Sequence, residues 1–258
     1  MLRNLNFAWR FFATGFCFVT FGLGGVLLWV LVFPTLNLFI QNRNQRSTRA
    51  KWVIRHVFRF FVGQMHQMGI FSYDIKGQGK LNRTGLLILA NHPSLIDVVF
   101  LMSIVEHADC VVKASLMRNP FTRGPVTAAG FICNDQGPSL IDDCITSLKH
   151  GNNLIIFPEG TRTPINQTFG RLQRGASNMA VRGGVDITPV VIRCNYSILA
   201  KGMPWWKIPP STPHFSIEVQ DDLNVVHAVG ECATAAVAAR HLNTYLSNYF
   251  SAEIALER

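Results

Sequence analysis

The sequence predicts an α/β fold, in which helices cover a twisted, mostly parallel or mixed sheet, with an N-terminal membrane-embedded helical segment before it. Three observations predict this architecture. Short apolar runs typical of buried strands alternate with amphipathic helical patterns from residue 74 onward. Residues 11–42 carry no charge. The 258 residues are 48% hydrophobic and 15% charged, against roughly 25% charged in an ordinary soluble domain, which excludes a disordered chain.

The apolar segment 11–42 is long for a single membrane span. As a continuous helix it would extend about 48 Å, whereas the hydrocarbon core of a bilayer is about 30 Å thick. Its regularity is interrupted at Gly15, Gly22, Gly24, Gly25 and Pro34. A single tilted span and two shorter helices in a re-entrant hairpin therefore both remain open. A signal peptide is excluded, because the segment is too long and no small-residue cleavage site follows it.

The positive charge is concentrated in the first quarter of the chain. The net charge is +9, yet eight basic residues precede Asp74, the first acidic residue. Beside an apolar segment, such an excess favours an anionic membrane surface over nucleic acid as the partner. Since the basic cluster follows the apolar segment, the positive-inside rule predicts an inner-membrane protein with the rest of the chain on the cytoplasmic side. Anionic lipid is expected to hold Arg43, Arg46, Arg49 and Lys51 at the surface.

Residues 43–70 complete a predicted membrane-associated segment 1–70, and residues 71–258 form the predicted α/β domain. Apolar positions between residues 52 and 70 recur at helical spacing. The resulting amphipathic helix is expected either at the membrane interface or packed on the domain. Trp205 and Trp206 likewise are expected either as interfacial anchors or as side chains packed on the sheet.

The strands and helices of the domain follow from its apolar patterns. Strands are predicted at 86–89, 110–113, 131–133, 153–157, 187–192 and 214–219, and helices at 95–105, 140–148 and 232–250. The six cysteines form no CxxC pair, and the eight histidines form no HxxxH or HExxH pattern. We therefore expect reduced, mostly core cysteines and no metal site.

The first candidate site lies where strand 86–89 ends. His92 and Asp97 stand five residues apart, and Ser94 to Asp97 reads S-x-x-D before an apolar helix. Asp97 is placed to accept from the imidazole Nδ1–H and leave Nε2 free as a base. The alternative is that Asp97 only completes the capping box of Ser94 and that His92 is an ordinary loop residue.

A second candidate site follows strand 153–157. Residues 157–162 read Phe-Pro-Glu-Gly-Thr-Arg, so Gly160 permits a turn that other residues resist, and Arg162 offers a planar donor to a phosphate or carboxylate. The alternative is a solvated loop with a local ion pair between Glu159 and Arg162.

Together, His92-x4-Asp97 and the Phe157–Arg162 motif resemble the glycerolipid acyltransferase family, whose best-known members are the 1-acylglycerol-3-phosphate acyltransferases. Residues 113–124, 172–176 and 188–190 are also similar to segments of that family, so the resemblance spans roughly residues 70–220. It implies an O-acyltransferase in which His92 is the general base and Asp97 orients and charge-balances the imidazole. It further implies that the substrates contact Glu159, Gly160, Thr161, Arg162 and Lys113. The implied donor is acyl-CoA or an acyl carrier protein thioester, with no resident cofactor and no metal.

One departure from the family pattern concerns the acceptor. The second motif of the family normally ends in an arginine that helps to bind a phosphate, whereas residues 130–136 contain none and include Asp135. Either Lys113, Arg118 or Arg123 compensates, or the acceptor is not lysophosphatidate. The open functions are therefore acylation of a lysophospholipid, the same chemistry on a lyso-aminolipid, glycolipid or specialised lipid ester, and an inactive membrane-bound scaffold.

Overall fold

The computed structural model describes residues 2–135 and 137–256. Its helices are α1 Leu2–Leu27, α2 Phe33–Phe39, α3 Arg43–Gln67, α4 Asp97–Ile104, α5 Ala114–Arg118, α6 Pro120–Ala129, α7 Leu140–Lys149, α8 Gly175–Gly183, α9 Val225–Val229 and α10 Ala235–Ala255. Its strands are β1 Ser72–Lys76, β2 Leu87–Ala90, β3 Ala108–Val112, β4 Ile132–Cys133, β5 Asn153–Ile156, β6 Ile187–Cys194 and β7 His214–Val219.

The strands form one seven-stranded sheet in the order β1-β7-β6-β2-β5-β3-β4. All neighbouring strands are parallel except β6 and β7, which pair antiparallel. The prediction of a mostly parallel or mixed sheet is therefore confirmed. Because parallel strands end at the same edge, the carboxyl ends of β2, β5, β3 and β6 lie together, and the segments that follow them can form one site.

Helices cover both faces of the sheet, and a separate apolar core lies under each face. On one face, α3 and α4 pack over buried side chains that include Ile88, Phe100 and Phe215. On the other face, α7, α8 and α10 pack over a second cluster that includes Leu89 and Leu242. Successive residues of β2 point in turn into one core and then the other, as expected for a strand that is buried on both sides.

The apolar N-terminal segment forms one helical run instead of a hairpin. α1 passes through a π-helical turn, Leu28–Val32, directly into α2. Pro34 at the start of α2 removes one backbone donor and crowds the preceding turn, and the wider π turn accommodates it. The re-entrant hairpin within residues 11–42 was therefore a wrong expectation, since the chain first reverses at residues 40–42. Of the described helices, Asn4–Phe39 is long and apolar enough to cross a membrane.

The helical run α1–α2 and helix α3 pair antiparallel, and α3 packs on the α/β part of the chain. Trp9 Nε1 donates to the Met68 carbonyl, just after the end of α3, at 2.9 Å. Phe21, later in α1, contacts Phe61, which is earlier in α3. α3 also packs on α4 and α6. Of the two alternatives for this amphipathic helix, the membrane interface or packing on the domain, the structure therefore shows packing on the domain. Lys51 corrects the expectation of lipid contact, because it is buried and its Nζ lies 3.2 Å from Asp109 Oδ2.

Candidate active site

The candidate site lies in a crevice between the carboxyl ends of β2 and β5. These neighbouring strands are followed by segments that leave toward opposite faces of the sheet, α4 toward one core and α8 toward the other. Open α/β sheets form ligand crevices where consecutive connections diverge in this way. His92 follows β2 and the 157–162 loop follows β5, so the structure brings the two predicted clusters together.

His92 and Asp97 form a hydrogen-bonded pair. His92 Nδ1 lies 3.0 Å from Asp97 Oδ2, and Asp97 is fully buried at the start of α4. An ionised carboxylate only accepts, so Nδ1 donates this hydrogen bond and Nε2 is the ring nitrogen that does not contact Asp97. The imidazole also stacks on Phe157, with ring centroids 4.2 Å apart, which fixes its plane. The sequence had given Phe157 no role.

Asp97 contacts Ser94 as well as His92. Its carboxylate accepts from the Ser94 amide at 2.6 Å and from the Ser94 hydroxyl at 2.7 Å. Ser94 Oγ in turn accepts from the Ile96 amide at 3.2 Å. Ser94 is nevertheless not the helix cap, because α4 begins only at Asp97 and Ile96 is the capping residue. The residues between form a tight turn that holds Asp97 beneath His92.

Burial and hydrogen bonding act in opposite directions on Asp97. Desolvation raises the pKa of its carboxyl group above the ordinary value, while the hydrogen bonds from His92 and Ser94 partly offset that rise. A buried carboxylate beside an imidazole gains most when the imidazole is protonated, because the two opposite charges then compensate each other. The pair is therefore suited to take up a proton at His92 Nε2.

Glu159 contacts the main chain of the turn from His92 to Asp97, which is called the catalytic turn below because it carries the candidate base. It is 4% exposed, and its Oε1 accepts from the His92 amide at 2.8 Å. Its Oε2 accepts from the Thr163 hydroxyl and the Gly170 amide, both at 2.8 Å. Thr163 also donates its own amide to the His92 carbonyl at 2.8 Å. Both backbone groups of His92 are thus held by the loop that follows β5.

Two glycines allow this close packing. Gly160 has φ +67°, the left-handed conformation that a side chain resists, in agreement with the turn that the sequence predicted there. A Cβ atom on Gly170 would collide with Oε2 of Glu159. The loop around Glu159 therefore requires the absence of a side chain at position 170, which the sequence did not indicate.

Arg162 and Lys113 point to different parts of the site. Arg162 Nη1 donates to the carbonyls of Leu199 at 2.7 Å and Ala200 at 3.3 Å, so part of the guanidinium holds the loop after β6. Thr161 is half-buried in the same turn. Lys113 is exposed at the carboxyl end of β3, one strand beyond β5. The structure therefore places Lys113 at the rim of the crevice.

Asn134 lies in the stretch 130–136, which resembles the second motif of the family but contains no arginine. Its main-chain N–H donates to the Val112 carbonyl, and its side-chain Oδ1 accepts from the Ala114 main-chain N–H at 3.1 Å. Asn134 therefore ties the end of β4 to the start of α5. Asp135 beside it is exposed, as are Arg118 and Arg123.

A cavity of about 530 Å³ lies beside the turn that carries Ser94. Its lining includes Asn91, Ser94, Thr163, Cys194 and His214. Burial raises the pKa of Cys194 to about 12, so this side chain is a neutral thiol at neutral pH. Within residues 2–135 and 137–256, no group of three or more His, Cys, Asp or Glu side chains is arranged to hold a metal ion.

Asn91 joins β2 to β6 directly before His92. Its Nδ2 donates to the Ile192 carbonyl and its Oδ1 accepts from the Ile192 amide, each at 2.7 Å. These two side-chain hydrogen bonds take the place of the next main-chain hydrogen bonds between β2 and β6. Sequence patterns could not identify this contact, because the two residues are 101 positions apart.

Comparisons with known proteins identify similar chains. The Acyltransferase family model matches residues 72–193. A 1-acyl-sn-glycerol-3-phosphate acyltransferase of Pseudomonas aeruginosa is 29% identical over 168 residues, which cover 62% of this chain and 64% of that enzyme. An enzyme of the same description from Helicobacter pylori is 28% identical over 63% of this chain and 65% of its own length. The match thus spans slightly less than two thirds of each relative.

Two further similarities bear on the acceptor and on the fold. A lyso-ornithine lipid O-acyltransferase of Pseudomonas aeruginosa is 32% identical over 127 residues, 46% of this chain and 47% of that enzyme. The crystal structure of the 1-acyl-sn-glycerophosphate acyltransferase PlsC from Thermotoga maritima superposes with a TM-score of 0.71, covering 98% of this chain and 96% of that one. At 17% sequence identity, this last similarity shows the fold alone.

Proposed function

We propose that this chain, whose residues 72–193 match the Acyltransferase family model, transfers a fatty acyl group from a thioester to a hydroxyl group of a lysophospholipid such as 1-acylglycerol-3-phosphate. The observation that supports this proposal best is the pairing of His92 Nδ1 with the buried Asp97 carboxylate, which leaves Nε2 as a base in the crevice. The thioester is carried by coenzyme A or by an acyl carrier protein.

The proposed reaction needs one base and no covalent enzyme intermediate. His92 Nε2 removes the proton of the acceptor hydroxyl as its oxygen attacks the thioester carbonyl carbon. Asp97 stabilises the imidazolium that forms. When the tetrahedral intermediate collapses, the carbon–sulfur bond breaks and the imidazolium returns its proton to the departing thiolate. Proton and charge therefore balance over the cycle.

Substitution of His92 tests this mechanism. Purified protein is offered labelled acyl thioesters and a panel of lyso-acceptors, and wild type is compared with His92→Ala. General-base catalysis is typically worth about 10²–10⁴-fold, so we expect turnover to fall by at least about a hundredfold while the unfolding temperature stays close to that of wild type. A folded variant that kept more than roughly a tenth of the turnover would contradict the assignment of His92 as base.

A second candidate is the same chemistry on an acceptor without a phosphate group. It is favoured by the absence of an arginine from residues 130–136, the stretch that resembles the second motif of the family. In that stretch, the side chain of Asn134 instead accepts from the Ala114 amide. The similarity to a lyso-ornithine lipid O-acyltransferase supports it as well. Asp135→Arg separates the two candidates, since this exposed position accepts a long side chain. Turnover of lysophosphatidate should rise if it is the acceptor, whereas turnover of a neutral or zwitterionic acceptor should stay equal or fall.

We also propose that the N-terminal helices lie in one leaflet of the inner membrane, with the catalytic domain on the cytoplasmic side. One face of the helical run is buried against the protein along its length, at Arg10, Ala13, Cys17, Leu28 and Phe33. The opposite face exposes apolar side chains, among them Phe12, Phe16, Leu23 and Leu38. A helix packed along its length on the domain cannot also cross the bilayer away from it, which favours an orientation parallel to the membrane plane.

A further inference from the structure

The loop between β6 and β7 connects helix α1 with the catalytic turn. At its first end, the Leu199 carbonyl accepts from Arg162 Nη1 at 2.7 Å and from the Leu95 amide at 3.2 Å. At its far end, Arg10 of α1 donates to the carbonyls of Pro210 at 2.9 Å and Ser211 at 3.0 Å. One stretch of chain thus contacts the active site and the N-terminal helix.

Two adjacent tryptophans lie in the middle of this loop. Trp205 packs on α1, with its ring centroid 5.5 Å from that of Phe18, and not on the sheet. Trp206 contacts Trp205 edge-on and is 56% exposed. The loop therefore adds an exposed indole to the apolar surface of α1. An indole that is half in contact with protein and half exposed is typical of the membrane–water interface.

The charges of the loop fit an anionic lipid surface. Residues 196–213 contain no acidic residue. Lys201 and Lys207 stand on either side of the tryptophans, and both are exposed. Cations beside interfacial aromatic rings attract anionic headgroups.

Leu199 gives the loop a direct mechanical connection to the catalytic turn. Its φ of +50° lies in the left-handed region, which a residue with a branched side chain rarely adopts. Such a conformation persists only where surrounding contacts hold it, and here Arg162 and Leu95 provide them. Leu95 belongs to the turn between His92 and Asp97, so a displacement of Leu199 is transmitted to the catalytic pair.

We propose that residues 199–208 form a second membrane contact, seated among anionic lipid headgroups beside α1, and that this contact holds the catalytic turn in its active position. The membrane contact stands on the loop itself. The effect on turnover also rests on the proposed acyl transfer, since turnover is its readout.

Trp206→Ser tests the proposal, with Tyr245→Ser as the matched control. Tyr245 is a partly exposed aromatic residue on α10, over the opposite core. Binding is measured by sedimentation with phosphatidylcholine vesicles, with and without phosphatidylglycerol. Trp206→Ser should weaken binding by on the order of tenfold, because it removes apolar surface from the interface. Lys201→Gln combined with Lys207→Gln should abolish the preference for phosphatidylglycerol, and Tyr245→Ser should change neither property.

Turnover of a short-chain, water-soluble lysophospholipid and thioester tests the connection to the active site. Vesicles of phosphatidylglycerol should raise this turnover in wild type by about fivefold, the low end of ordinary allosteric coupling. The increase should be absent in Trp206→Ser, whose turnover without vesicles should equal that of wild type. Equal binding and equal stimulation of wild type and Trp206→Ser would overturn the proposal, as would an equal loss in Tyr245→Ser.

The two proposals fail in different ways. If wild type does not turn over any acyl acceptor, the proposed function fails, and the sedimentation result still decides the membrane contact. If Trp206→Ser does not fold, as its unfolding temperature would reveal, the double lysine variant decides the contact instead.

Discussion

Replacing Glu159 by Gln should lower kcat and leave KM nearly unchanged. The carboxylate accepts three hydrogen bonds, one at Oε1 from the His92 amide and two at Oε2 from Thr163 and Gly170. A glutamine side chain has a single acceptor oxygen, so in its better orientation its NH₂ group faces the His92 amide and that bond is lost. We therefore expect Glu159 to act as a positioning residue through the His92 main chain, whereas the sequence analysis predicted that it contacts substrate.

The size of the effect follows from these contacts. A hydrogen bond to a charged group contributes about 1.5–3 kcal/mol, and a buried amide without an acceptor costs about 1–3 kcal/mol. We therefore expect Glu159→Gln to lower the free energy of unfolding by roughly 3–5 kcal/mol, and the displaced imidazole to lower kcat by about a hundredfold. Denaturant unfolding and steady-state kinetics on the same preparation measure both quantities.

Glu106→Gln is the matched control. Glu106 forms a surface ion pair with Arg55 at 2.8 Å, and its side chain is 57% exposed. Since exposed ion pairs contribute at most about 1 kcal/mol, this variant should behave almost as wild type. The reasoning is refuted if Glu159→Gln raises KM strongly at unchanged kcat, because Glu159 would then bind the acceptor directly.

Three further substitutions test the same structure. Asp97→Asn retains the hydrogen-bonding shape but not the charge, so turnover should fall by about 10²–10⁴-fold. The pKa of Asp97 is raised in the folded protein, so its contribution to stability is lost as pH rises through that pKa, and the unfolding temperature of Asp97→Asn relative to wild type should increase from acid to neutral pH. Lys51→Met leaves the buried Asp109 carboxylate without its cation and should cost about 3–5 kcal/mol in denaturant unfolding, much of which Asp109→Asn should restore in the double variant. Gly170→Ala should reproduce the kcat loss of Glu159→Gln, since its Cβ displaces Oε2, and a fully active variant would contradict the crowding at this position.

The strands in the centre of the sheet were predictable from the sequence within one or two residues. β2 and β5 are buried on both faces and therefore read as unbroken apolar runs. β1 was missed because it pairs at the edge of the sheet and alternates with polar residues. α6 was missed because it contains Gly124 and Pro125, and its packing against Trp29 outweighs their low helix propensity.

Contacts within the candidate site could be predicted where the residues are close in sequence. His92 and Asp97 are five residues apart, so a strand end followed by a helix start was enough to bring them together. The partners of Glu159 lie up to 67 residues away, and no periodicity encodes such a contact. A carboxylate next to an arginine in a glycine turn resembles a ligand site, and only its burial identifies it as an internal acceptor. The contacts of Arg162 with the loop after β6 could not be predicted for the same reason, because the partners are far apart in sequence.

Helix α1 buries one face on the protein and exposes apolar side chains on the other. This arrangement determines how a form of the protein that is soluble without detergent has to be engineered. Removing the first 70 residues would also remove α3, whose Ile54 and Phe61 share one apolar core with Phe100 of α4. The remaining chain would expose that core to water and would aggregate. Charged substitutions at outward-facing positions such as Phe12, Phe16 and Leu23 leave the core intact. Such a variant would remain folded in plain buffer and allow the chemistry to be followed on dissolved substrates, without a lipid phase in the assay.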